Sequence, residues 1–194
     1  MSQVVLVRHG QTEWSLSGQH TGTTDIPLTD EGRRHARALG ARLSGWQFTR
    51  VLSSPLSRAL ETCELAGFSD RAETTDDLRE WDYGEYEGRR TVDVREDRPG
   101  WGVWKDGAPG GETVEEVGRR ADRVIDVARA AGGDVVLFAH GHVLRVLGAR
   151  WIGLPPQHGA LLALSTASIS VLGWERETAV IERWNEAATE TALP

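Results

Sequence analysis

Two short apolar runs in this chain end in the same dipeptide. Residues 3–8, Gln-Val-Val-Leu-Val-Arg, lead into His9-Gly10, and residues 134–139, Asp-Val-Val-Leu-Phe-Ala, lead into His140-Gly141. Both runs are rich in β-branched residues and too short for an amphipathic helix. Continuous apolar character over that length predicts a strand buried on both faces. Such strands belong to parallel sheets covered by helices on each side. Open sheets of this class bind ligands outside the carboxyl ends of their strands, so the two imidazoles are expected to converge at one end of one sheet.

The rest of the chain fits that expectation. Residues 50–53 read as a third strand, followed by Ser54 as N-cap and Pro55 as first position of a helix to about Ala66, with Arg58 in its early turns. Thr113 and Glu116 form a capping box ahead of a helical apolar pattern (Val114, Val117, Ala121, Val124, Ile125, Ala128) that runs to Ala131. Residues 29–43 and 142–151 read as two more helices, the second stopped by Gly153 and Pro155-Pro156. Strands alternate with helices, which predicts an α/β fold of three layers, α/β/α, with a mostly parallel sheet. Residues 168–174 and 178–184, joined by Glu175-Arg176-Glu177, read as a hairpin adding an antiparallel edge strand. Residues 89–111, rich in Gly, Pro and Trp, are expected to form a short helix and an irregular loop over a site. No repeat or linker divides the 194 residues, so one domain over 1–194 is expected.

Charge narrows the partners. A formal net charge of -7 argues against nucleic acid, whose binding needs a basic field. No apolar run approaches the length of a membrane span, and the first residues lack the basic end and apolar stretch of a signal peptide; a cytoplasmic protein without a membrane partner is expected. Cys63 is the only cysteine and reads as a small buried residue on a helix, which leaves no intramolecular disulfide and no cysteine-rich zinc site. Lys105 is the only lysine, so an anion would be gripped by arginine, whose planar fork binds oxyanions in pairs. Arg8 and His9, His140, and Arg58 at a helix start together suit a tetrahedral dianion, and phosphate is the natural ligand.

At this point the motifs become specific. Arg8-His9-Gly10-Gln11-Thr12-Glu13-Trp14, Thr21-Gly22, Pro27-Leu28-Thr29, Ser53-Ser54-Pro55-Leu56-Ser57-Arg58-Ala59, Leu78-Arg79-Glu80-Trp81-Asp82-Tyr83-Gly84 and His140-Gly141 follow one another in order. The chain resembles the histidine phosphatase superfamily in its phosphoglycerate-mutase-like branch, and the segment from Glu80 to Gly88 is most similar to acid phosphatases of the actinobacterial type and to certain sugar bisphosphatases. Three residues alone would be weak, but ordered blocks over most of the chain are strong. The resemblance implies that His9 attacks phosphorus to form a phosphohistidine, and that Arg8, Arg58 and His140 hold the phosphoryl oxygens. Glu80 would protonate the leaving oxygen and then help water attack. No cofactor and no metal are implied.

For that role the Glu80 carboxyl has to be protonated at working pH, with burial beside Trp81 offsetting the arginines, and an acidic optimum is expected. Asp76, Asp77, Asp82, Glu85 and Glu87 are close competitors, and the family register alone selects Glu80. Gln11, Thr12, Ser15, Thr21, Gly22 and Gly141 match positions lining the family's substrate pocket. Two positions depart from it. Ser15 stands where relatives usually have asparagine, and His142 where they commonly have glycine; His142 either donates to phosphate or caps the helix. Trp81, Tyr83, Trp101 and Trp104 suggest an aromatic mouth for sugar phosphates or bulky esters, with core packing as the equal alternative. Arg145 reads as structural, and His20, His35 and His158 as surface residues.

Phosphatase is the favoured reading, on a small phosphorylated metabolite, as a monomer or homodimer. A phosphoglycerate mutase uses the same phosphohistidine but needs more cations; here Trp81 takes the position of a substrate-gripping arginine. A non-catalytic phospho-ligand binding protein is disfavoured because Arg8, His9, Arg58, Glu80 and His140 are all present. Zinc hydrolysis through His9, His140 and a carboxylate lacks a helical His pair, and the arginines would repel a cation.

Overall fold

A computed structural model describes residues 2–188. The expected strands form as β1 (Val4–Arg8), β2 (Arg50–Ser53) and β4 (Val135–Ala139), with a short strand β3 (Ala72–Thr74) that the sequence does not announce. The hairpin forms as β5 (Ser168–Glu175) and β6 (Thr178–Ala187), its second strand longer than expected. The sheet order is β3-β2-β4-β1-β5-β6. The first four strands pair in parallel, and β5 joins β1 antiparallel, leaving β6 at the edge.

Alternate residues of the central strands feed two cores. Val4 and Leu6 of β1, with Val135 and Leu137 of β4, join one cluster; Val5 and Val7, with Val136 and Phe138, join the other. The first is covered by α6 (Val114–Arg129) and α7 (Gly141–Trp151), the second by α2 (Asp30–Leu43) and α3 (Ser57–Leu65). The three-layer α/β/α architecture follows from this two-sided burial. Thr113 and Glu116 cap α6 reciprocally, and Thr29 caps α2 through its hydroxyl.

One helix starts later than its sequence suggests. Ser54 and Pro55 are not the N-cap and first turn of α3, which begins at Ser57 after Leu56. The Ser54 hydroxyl is engaged by the ring of His140, 2.7 Å away, and by the backbone N–H of Leu56, so it shapes a turn instead of a cap.

Residues 89–111 contain two short helices, α4 (Thr91–Asp97) and α5 (Val103–Asp106), and α1 (Glu13–Ser17) follows the first histidine. The loop after β1 is pressed onto the start of α2: a Cβ on Gly10 would lie 2.6 Å from the Gly32 carbonyl oxygen, and one on Gly32 would lie 2.3 Å from that of Gln11. Only glycine permits this approach. Among the described residues no helix is long and apolar enough to cross a membrane.

Candidate active site

Arg8 of β1 pairs in register with Ala139 of β4, so the residues that follow leave the sheet side by side. The His9 and His140 rings lie 5.2 Å apart. His9 donates its backbone N–H to the Ala139 carbonyl (2.9 Å), and Gly10 donates to the Thr62 hydroxyl (3.0 Å). The His9 Nδ1 is 2.7 Å from the Gly10 carbonyl, which can only accept, so Nδ1 carries the hydrogen and Nε2 keeps a lone pair. Burial pushes the His9 pKa well below its ordinary value, and the charges of Arg8 and Arg58 push it further. The ring is therefore neutral.

His140 is fixed in the opposite tautomer. Arg58 donates from Nε to its Nδ1 (3.1 Å), so its Nε2 donates to Ser54 Oγ. Burial, then Arg58 and His9, depress its pKa as well. Arg58 is fully buried, and its remaining donors hold the carbonyls of Thr21, Gly22 and Thr24. Arg8 donates from one terminal nitrogen to the Leu164 carbonyl, and its buried Nε has no partner among the described residues.

A cavity of about 350 Å³ opens above His9. Arg8, His9, Thr12, Ser15, Thr21, Glu80, Tyr83 and His142 line it, as do Trp14, His20 and, from residues 89–111, Thr91, Arg95 and Trp104. Glu80 is the one carboxylate among the lining residues. It is 7% exposed and accepts three backbone N–H groups, from Trp81 (3.0 Å) and Val143 (2.9 Å) on Oε1 and from His142 (3.0 Å) on Oε2. His142 and Val143 lie in the first turn of α7, whose N-cap residue His140 offers no side-chain cap, so Glu80 satisfies that helix end from outside. Burial alone raises the Glu80 pKa, but the His142 side chain and then the His142 backbone N–H outweigh it, and the carboxyl sits well below its ordinary value. The expectation of a carboxyl kept protonated by burial is thus corrected: without a ligand Glu80 is an ionised helix cap, and the acidic optimum argued from a resting acid loses its basis.

Tyr83 and His142 complete that wall. The Tyr83 hydroxyl is 2.7 Å from His142 Nδ1, and burial keeps the phenol protonated to well above its usual range. His20 stacks on Tyr83 at 4.7 Å, and Trp104 lies 5.1 Å from the His142 ring.

The model of the histidine phosphatase superfamily (branch 1) matches residues 4–187. The chain belongs to this superfamily. An acid phosphatase of Mycobacterium tuberculosis is 42% identical to this histidine phosphatase over 186 residues, covering 92% of this chain and 91% of that protein. The sedoheptulose 1,7-bisphosphatase of Saccharomyces cerevisiae is 38% identical, covering 79% and 68%. The solved structure of an open reading frame from M. tuberculosis superposes with a TM-score of 0.92 at 38% identity, covering 97% of this chain and 99% of that one.

Within this histidine phosphatase, several expected site residues stand back from the cavity. Arg58 and His140 are fully buried and absent from its lining. Gln11 turns its side chain to the Thr29 hydroxyl, the Gly22 backbone N–H is held by Glu87, and Gly141 packs against Arg8. Trp81 is core: its ring is fully buried and its indole N–H donates to the Glu112 carbonyl. Trp101 is core too, whereas Tyr83 and Trp104 do face the cavity.

One of the three histidines expected at the surface is not there. His20 is buried against Tyr83 and Trp101, with its pKa lowered to about 4 by burial and by His142. His158 and His35 are both half-buried, the first with an Nδ1 that has no partner among the described residues, the second on α2 against Glu31. Arg145 is structural, donating to the carbonyls of Gly159 and Ala160 and stacking on Trp104. Burial raises the Cys63 thiol to about 12, which makes it inert. Thr91 and Arg95 were missed individually; the one signal for them was the irregular composition of residues 89–111.

Proposed function

We propose that this protein hydrolyses phosphate monoesters of small metabolites, sugar phosphates or similar, through a phosphohistidine on His9. The observation that carries this reading is the neutral His9 ring, with Nδ1–H held by the Gly10 carbonyl and the Nε2 lone pair left at the cavity beside Arg8. Nε2 attacks phosphorus as the P–O bond to the alcohol breaks, and the phosphoramidate then passes its phosphoryl group to water. Charge spreads over the equatorial oxygens in a loose transition state, where the guanidinium of Arg8 stabilises it. Arg58 and His140 reach those oxygens after giving up contacts they hold here. Glu80, the carboxylate of the cavity wall, serves as acid toward the leaving oxygen and as base toward water. The relatives named acid phosphatase and sedoheptulose bisphosphatase support the same chemistry.

The cavity suits a substrate of modest size, with Tyr83, Trp104 and Trp14 offering apolar faces and Thr12, Ser15 and Thr21 offering hydroxyls. Labelled substrate is expected to leave an alkali-stable, acid-labile phosphoryl group on His9. His9→Ala should lose both label and turnover. Near-wild-type turnover in His9→Ala, or activity abolished by chelator and restored by zinc, would overturn the reading. Mutase action is disfavoured because, among the described residues, Arg8 and Arg95 are the only arginines lining the cavity and Trp81 is buried behind Glu80. Hydrolysis of 3-phosphoglycerate should exceed its conversion to the 2-isomer.

A further inference from the structure

Glu80 has no proton to give at rest. Oε1 already accepts two N–H groups and Oε2 one, an arrangement that favours the anion. Yet the leaving oxygen of an alkyl ester needs a proton, and among the described residues the cavity wall contains no second carboxyl to supply it. The His142 Nδ1 lies 3.9 Å from Glu80 Oε2. Its ring is held on two sides, by the Tyr83 hydroxyl at 2.7 Å and by the Trp104 ring, with the edge of Trp81 at 6.1 Å. Tyr83 is itself buried and backed by His20. This packing holds the Nδ1 edge of the imidazole beside the carboxylate.

We propose that His142 is a positioning residue that holds the transferable proton for Glu80, an inference that rests on the hydrolytic reading above. In the first half-reaction His142 in its imidazolium form passes the hydrogen on Nδ1 to Glu80 Oε2, and the N–H electron pair stays on the ring, which becomes neutral imidazole. As His9 Nε2 forms its bond to phosphorus, the ester P–O bond breaks with its electron pair on oxygen, and that oxygen takes the proton from Oε2. In the second half-reaction water attacks phosphorus, its proton goes to Oε2, and the N–P pair returns to His9 Nε2. The proton then returns to His142 Nδ1, so the cycle closes without another reactant. The transfer needs Nδ1 to turn from the Tyr83 hydroxyl and approach Oε2 by about 1 Å, to ordinary hydrogen-bond distance. The groups facing the ring are Glu80, the Tyr83 phenol, His20 across Tyr83, Arg8 across the cavity and Arg145 behind Trp104.

His142→Gln tests this, with kcat/KM measured across pH for glycerol phosphate and for p-nitrophenyl phosphate, whose leaving group needs no proton. The alkyl ester should lose ~10-fold or more and the aryl ester at most ~3-fold, in line with general-acid contributions, and the alkaline limb of the alkyl profile should move to lower pH. Tyr83→Phe keeps the imidazole and removes its partner, and should give a smaller selective loss in the same direction. An unchanged alkyl-to-aryl ratio in both variants overturns the inference, whether turnover is retained or falls uniformly. Phosphoryl label on wild-type His9 is scored separately: its absence sinks the underlying hydrolytic reading, while its presence with an unchanged ratio sinks the role of His142 alone.

Discussion

Glu80 meets two demands that pull against each other, because the carboxylate that caps α7 is the group proposed to carry a proton during turnover. Glu80→Gln should slow an alkyl phosphate by ~10²-fold and an aryl phosphate less. It should also lower thermal stability by about 1 kcal/mol, since an amide turns an N–H₂ toward donors that the carboxylate accepted. Asp82→Asn is the control: Asp82 accepts from the Gly84 backbone outside the cavity, so its variant should keep the wild-type leaving-group dependence. Three more of the competing acids are committed elsewhere, Asp76 to Arg79, Asp77 to Arg123, and Glu87 to the backbone of Gly22 and Thr24. Nothing in the spacing of this acidic segment announces that division. Which N–H groups surround a carboxylate is decided by distant chain, here α7, whereas Arg8, His9 and His140 were legible because each stands at the end of a strand whose apolar run marks it.

Among the elements, the join between the loop after β1 and α2 is the one most exposed to a small change. Gly32→Ala would drive a methyl toward the Gln11 carbonyl and displace the loop behind His9, at a cost of about 1–3 kcal/mol for overpacking. Turnover should fall together with the melting temperature. Thr113→Ala offers the contrast, because the α6 capping box stands away from the cavity: about 1 kcal/mol of stability should be lost with kcat unchanged. Thermal unfolding and steady-state kinetics on the two variants separate these cases. The long helices α2 and α6 could be read from sequence because their apolar stripes repeat over several turns, and the buried strands because both faces are apolar. The five residues of α1, the seven of α4 and the four of α5 are too short to show a period, and β3 is three residues of mixed polarity that pair only because β2 offers an edge. His20 was misplaced for the same reason, since the aromatic wall that buries it comes from residues more than sixty positions away.

At the scale of the molecule, three imidazoles are kept neutral by burial: His9 and His140 with pKa values well below the ordinary one, and His20 at about 4. In the unfolded chain each would bind a proton near pH 6.5, so the unfolded state gains protons first as the pH falls. The stability these groups contribute is complete above about pH 6.5 and is lost as the pH drops toward their folded values. The depressed Glu80 acts in the same direction below its ordinary range. The melting temperature should therefore fall between pH 6.5 and 4, and His20→Phe, which keeps an aromatic ring against Tyr83, should flatten part of that slope. A melting temperature that stays level across this interval in the wild type would contradict the assignment of neutral buried rings. The position of β1 has a further effect, on the order of assembly. Its two neighbours in the sheet are β4 and β5, joined to it at Val4 through Val135 and Leu172, so the strand that leads into the proposed nucleophile His9 cannot be seated until nearly all the intervening chain has folded around the gap. Pairings of such sequence separation are slow to form. In a refolding experiment, turnover should return with the last kinetic phase, after most of the helical signal, and a collapsed intermediate should possess helices but no catalytic pocket.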